Sequence, residues 1–186
     1  MMRINHSALP SPTDIYREVL PNGITILTRS NFNSPSVVIG GFFTAGSLFD
    51  PDAKLGLADF VTSALMRGTK TRTFDTIYNE LESAGASLGF SSGVHSSGFT
   101  GRSLAEDLPL LLNLLAGSLI NPTFPKAEVE KLRAQLLTGL AIRAQDTSDM
   151  ASMVFDEILF KDHPYSRAED GHSDTFKKIR QPDLVQ

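Results

Sequence analysis

Pro21-Asn22-Gly23 lies between two β-prone runs, Tyr16-Arg17-Glu18-Val19-Leu20 and Ile24-Thr25-Ile26-Leu27-Thr28. Asn-Gly between two β-prone runs is a strong short-range hairpin signal, so the chain doubles back and its first two strands pair antiparallel. Everything downstream has to be compatible with that hairpin. Val37 to Thr44 (VVIGGFFT) reads as a third strand. It is nearly continuous in apolar residues and is therefore expected at the centre of a sheet. Gly40 and Gly41 within it signal a bulge or a close backbone approach.

Helical spacing takes over next. Gly56 to Arg67 places Leu57, Phe60, Val61, Ala64 and Leu65 on one face and stops at Gly68. Thr73 to Ser83 does the same with Phe74, Ile77, Tyr78 and Leu81. Thr73 suits the N-cap and Gly85 the C-terminal stop. Ser87 to Arg102 returns to alternation, and two strands are expected there. The rest reads as helix: a mostly buried one at Leu108–Leu119, a long amphipathic one at Lys126–Gln145, another at Ser148–Leu159 and a short one at Asp174–Ile179, with loop between Asp162 and Gly171. Strands, helices, strands and then helices give an α+β class, a mostly antiparallel sheet covered by helices. Residues 1–15 read as a flexible lead-in. Pro182 at the start of a last helical turn suggests a chain that stops within a C-terminal helix.

At 186 residues the chain is long enough to hold a core without a disulfide or metal. A net charge of −4 argues against nucleic acid or anionic membrane as a partner. The absence of cysteine excludes a thiol nucleophile and any cysteine-based metal site. Met1 to Asp14 is polar and lacks the apolar stretch of a signal peptide. Leu108 to Ile120 is too short to span a bilayer, which takes about 20 residues. The expected compartment is the cytoplasm by default, or the periplasm if an upstream signal has been removed.

Few residues offer chemistry. His6, His95, His163 and His172 include no pair at helical spacing. His163 and His172 share a loop with Asp162, Glu169 and Asp170, a weak metal site at most. His95 belongs to a Ser/Gly-rich strand region and is expected at the surface or the core edge. There is no G-x-S-x-G elbow and no phosphate-cradling glycine loop.

Several segments in one order carry a resemblance. They are Leu20-Pro21-Asn22-Gly23-Ile24, Ala45-Gly46-Ser47-Leu48-Phe49-Asp50, Gly56-Leu57-Ala58-Asp59-Phe60, Leu65-Met66-Arg67-Gly68-Thr69, Glu82-Ser83-Ala84-Gly85-Ala86, Asn121-Pro122-Thr123-Phe124-Pro125 and His163-Pro164-Tyr165. Together they resemble the M16 metallopeptidases: pitrilysin, insulin-degrading enzyme and the mitochondrial processing peptidases. The resemblance implies a LuxS/processing-peptidase-like α+β fold. It implies that residues 16–186 are an incomplete N-terminal M16-like domain.

The family's zinc signature is His-x-x-Glu-His, completed by a later glutamate. Here the matching positions are Asp59, Thr62 and Ser63, and the later glutamate falls at Gly139 or Leu140. A catalytic zinc takes three protein ligands plus water. Threonine cannot serve as a base near neutral pH, and a serine hydroxyl does not replace an imidazole. No catalytic residue, metal or cofactor is therefore expected, although active members of the family use zinc.

The resemblance then implies a catalytically silent unit that partners a homologous active M16 subunit or a second M16 unit, closing a chamber and holding a peptide substrate. Two alternatives stand beside it. One is a zinc metalloendopeptidase with an atypical site, or with its zinc site in another unit. The other is a structural subunit of a larger assembly. An exposed sheet edge makes a homodimer a further expectation.

Overall fold

The computed structural model describes residues 11–185. The chain divides into two compact units, Met1–Pro35 and Ser36–Gln186. The first holds the hairpin: β1 (Tyr16–Val19) pairs antiparallel with β2 (Thr25–Thr28), with Tyr16 opposite Thr28 and Val19 opposite Thr25. Gly23 takes φ +88°, the positive value that the turn requires. Arg29 bonds Asp14 across the base of the hairpin at 2.9 Å.

The second unit is built on a three-stranded antiparallel sheet in the order β3 (Ser36–Phe43), β5 (Ser97–Leu104), β4 (Ser87–Ser92). This corrects the expectation for β3, which lies at an edge; β5 is central. The apolar run misleads because only alternate residues face the core. Ile39 packs inward, while Val38 and Phe42 are 73% and 83% exposed. Gly41 marks a close approach, since a Cβ there would sit 2.6 Å from the Phe99 ring across the ladder. The register from Ser36 opposite Leu104 to Phe43 opposite Ser97 runs without a bulge.

Among the described residues six α-helices accompany the sheet, and the first three pack on its inward face. They are α1 (Leu57–Ala64), α2 (Phe74–Ser83), α3 (Leu108–Ile120), α4 (Lys126–Arg143), α5 (Thr147–Leu159) and α6 (Ser173–Phe176). Two apolar clusters form the core. One joins Ile77 and Leu81 of α2 to Leu111 and Leu114 of α3 against Ile39 and Leu88 of the sheet. The other joins Phe60 and Ala64 of α1 to Val129 and Leu132 of α4 and to Phe176 and Ile179. Phe90 of β4 packs on both clusters and links them. Phe60 and Phe176 are stacked with ring centroids 4.9 Å apart.

The helix starts follow local chemistry. The Thr73 hydroxyl accepts the Thr76 N–H at 3.2 Å, and Gly85 closes α2 with φ +57°. The Asp146 carboxylate caps α5 by accepting the N–H groups of Ser148 and Asp149. One further expectation needs correcting. α3 buries one face only, leaving Leu112 and Ile120 exposed, because just its Leu111–Leu114–Ser118 side meets the sheet. α5 is helical as expected, yet none of its residues is buried.

Candidate functional site

The site helix α1 is positioned from a distance. Gly56 precedes it with φ +90°, and the four N–H groups of its first turn have no partner within the helix. The buried Asp50 carboxylate fills that role from six residues upstream, accepting the N–H groups of Gly56 and Ala58 at 3.0 Å each. Loss of hydration pushes the Asp50 carboxyl up, and the N–H groups of Ala58, Gly56 and Leu57 oppose the shift. A loop over residues 167–171 lies against this start. A Cβ on Gly56 would come within 2.6 Å of the Asp170 carbonyl, and one on Gly171 would collide with the Leu55 carbonyl. The two glycines let the backbones touch. Arg167 secures the same loop by donating to the carbonyls of Leu48 (2.7 Å) and Asp50 (3.1 Å) and pairing with Asp52 at 3.0 Å.

A cleft of about 230 Å³ opens between α1, α4 and this loop, lined by Asp59, Gly139, Leu140, Arg143 and Asp170, with Phe176 also at its wall. Three of the five positions singled out in the sequence thus meet in one place. The other two do not line it. Thr62 is buried, and its hydroxyl donates to the carbonyls of its own helix, Ala58 and Asp59, at 3.0 Å. Ser63 is half-buried outside the lining.

Burial pushes the Asp59 carboxyl up, the charges of Asp170 and Asp50 push the same way, and Arg143 opposes them. Arg143 pairs with Asp170 and donates to the Gly171 carbonyl at 3.3 Å. The residues present do not fit a zinc ion. Of the two carboxylates in the lining, Asp170 is already paired with Arg143, which leaves Asp59; Gly139 has no side chain, Leu140 is apolar and the Thr62 hydroxyl is already engaged. A dication would also meet the Arg143 guanidinium. Among the described residues no group of three or more His, Asp or Glu could hold a metal.

The histidines are spread elsewhere. His163 accepts the Tyr165 N–H on Nδ1 at 3.2 Å, which caps a short turn. Nε2 of the exposed His95 lies 2.7 Å from the Tyr165 hydroxyl. His172 precedes α6, where its backbone N–H donates to the Thr175 hydroxyl at 3.0 Å. His6 lies outside the described residues. Sequence reasoning missed Arg143 and the capping role of Asp50, and it grouped Asp170 with the His163–His172 loop and not with the Asp59 cleft. Arg143 was within reach, since it follows Gly139 by four residues and so shares its helix face. Asp50 was not, because its partner helix begins only after two intervening turns.

The sequence profile described as Insulinase (Peptidase family M16) matches residues 25–168. The chain belongs to the M16 peptidase family. The M16 chain is 30% identical over 170 residues to the mitochondrial-processing peptidase subunit beta of Saccharomyces cerevisiae, covering 89% of this chain and 36% of that one. It is 28% identical over 182 residues to the bovine cytochrome b-c1 complex subunit 1, covering 96% and 37%. Both relatives are therefore well over twice as long as the matched region. Among solved structures, a peptidase M16 inactive domain from Pseudomonas fluorescens superposes with a TM-score of 0.86 at 25% identity, covering 92% of this chain and 42% of that one.

Proposed function

We propose that this M16 unit is catalytically silent and works beside a zinc-bearing M16 unit, closing its chamber and holding an extended peptide. The observation that carries the reading is the composition of the cleft. Of the positions that match the family's zinc ligands and base, Asp59, Gly139 and Leu140 line the cleft beside a resident arginine, Arg143, while Thr62 and Ser63 lie outside it, and none of the five is a histidine or glutamate. The likeness to a domain described as inactive, and to proteins named as subunits, supports it.

The test is zinc content by elemental mass spectrometry on untagged protein, together with binding and cleavage of an unstructured fluorescent peptide. The expected result is zinc near zero after incubation and desalting, with the peptide bound and intact. About one zinc per chain, with chelator-sensitive cleavage, overturns the reading and returns the peptidase. A chain that neither binds nor cleaves peptide favours the structural-subunit reading, to which the likeness to the cytochrome b-c1 subunit also points. The triple change Asp59→His, Ser63→His and Gly139→Glu is expected to create measurable zinc affinity, because it supplies three donors from α1 and α4, a histidine pair four residues apart on α1 and a glutamate across the cleft from Asp59. Failure to gain any would show that this cleft is not the former metal position.

A further inference from the structure

The cleft between α1 and α4 holds a carboxyl that no neighbouring side chain answers. Leu136, Gly139, Leu140 and Arg143 recur at the i, i+3, i+4, i+7 spacing and form one face of α4, while Asp59 lines the cleft from α1. The other polar side chains of the lining are already matched. Arg143 pairs with Asp170, and the Gln135 side-chain carbonyl accepts the Arg67 guanidinium at 3.0 Å. The half-buried Asp59 carboxyl has no hydrogen bond and no ion pair among the described residues. Asp170 and Asp50 act on it more strongly than Arg143 does, so the field at this point is negative. The rest of the lining is apolar: Leu136, Leu140 and Phe176. Gly139 keeps the α4 wall low, since a Cβ there would meet no heavy atom within 4 Å. At about 230 Å³ the cleft lies below the roughly 300–1,000 Å³ of sites for drug-sized ligands and has room for one amino-acid side chain.

We propose that this cleft takes an alkylammonium group on an apolar stem, the side chain of a lysine in the peptide that the unit holds. The lysine as source rests on the peptide-holding reading; the chemistry of the cleft does not. A half-buried carboxylate without a partner is costly, and a cation removes that cost. An ammonium needs one carboxylate and can turn its remaining N–H groups to water, whereas a zinc ion needs three protein donors. The same residues therefore refuse the metal and accept the amine. The two leucines and the low wall at Gly139 receive the methylene stem. A guanidinium is the poorer fit, because it gains most from an aromatic face to stack on, and the Phe176 ring is buried against Phe60. Arg143 is held toward the loop by Asp170 and the Gly171 carbonyl, so it repels an incoming cation less than the carboxylates attract it.

The first test titrates the chain with Nα-acetyl-lysine amide and follows backbone amide shifts by NMR. Saturable binding with a Kd on the order of 1 mM is expected, with the shifts centred on Asp59 and Gly139. The norleucine analogue keeps the stem and lacks the ammonium, and it is expected to bind about tenfold more weakly. Asp59→Asn removes the charge, and Gly139→Leu fills the cleft from a position with no clash to relieve. Each is expected to lower the affinity about tenfold, with circular dichroism and thermal unfolding showing that the fold is kept. Equal binding of the lysine and norleucine compounds, or an affinity that survives both variants, overturns the proposal. Fluorescence anisotropy with N-acetylated unstructured peptides carrying one lysine or one norleucine separates the two readings. Tighter binding of the lysine peptide, lost in Asp59→Asn, supports both. Peptide binding that is indifferent to the lysine overturns the lysine site and leaves peptide holding intact. A cleft saturated by the small amine while no peptide binds overturns peptide holding, and with it the lysine source, and leaves a site for free alkylamines.

Discussion

Helices α1 and α5 are both led by an aspartate, yet they are held in opposite ways. The α1 cap comes from Asp50, across two tight turns, and the helix buries Phe60 and Ala64 in the core. The α5 cap comes from Asp146, its own preceding residue, and the helix buries nothing. The first is a product of the tertiary fold and cannot form alone at eight residues. The second carries its own start signal, and its apolar side is exposed. In this chain the strength of a helix's local signals says little about how firmly the fold depends on it.

Substitutions can break that contrast. The largest effect is expected from Phe60→Ala, at about 3–5 kcal/mol lost in urea unfolding, because the fully buried ring stacks on Phe176 and lies under the Arg133 guanidinium. Phe155→Ala is expected to change monomer stability by no more than about 0.5 kcal/mol. Equal losses at the two positions would erase the distinction between the helices. Next comes Asp50→Ala at about 1–3 kcal/mol, which leaves buried N–H groups unpaired, against about 0.5–1 kcal/mol for Asp146→Ala at an exposed cap. A smaller cost at Asp50 than at Asp146 would reverse the assignment of which cap matters.

The smallest effect sharpens the picture of the cleft. The Asp59 carboxyl is raised above 3.8, so the folded chain holds its proton more tightly than the unfolded chain does. Its contribution is therefore most favourable below 3.8 and declines as pH rises through the raised value. Asp59→Asn is expected to stabilise by less than about 1 kcal/mol at neutral pH, screening by solvent limiting the gain, with the advantage gone in acid. A loss at neutral pH would mean that Arg143 pairs with Asp59 more closely than with Asp170.

What could be read from the sequence follows the same division. The hairpin at Asn22-Gly23, the Thr73 and Gly85 ends of α2 and the two strands after Ser87 are set by neighbours a few residues apart, and they stand where local chemistry places them. The edge position of β3 was hidden because Val38 and Phe42 are apolar yet face outward, against the usual rule for strand burial. The meeting of Asp59 with Gly139 and Leu140 was suggested by family resemblance, not by spacing. The Asp170 side of the cleft was illegible, since a polar loop gives no sign of which helix it will lie against. The outward sector of α5 was visible as amphipathicity; its direction was not.

The arginine at the end of α4 bears on how this cleft can change over generations. Arg143 ties Asp170 and Gly171 to α4 while standing close to where a metal would sit. Once such a cation has been recruited to hold a loop, regaining the lost donors one at a time brings each intermediate face to face with a charge that opposes the ion. Removing the arginine first loosens the loop instead. On the proposed reading, the route back to a metal site is thus steeper than the route away from it.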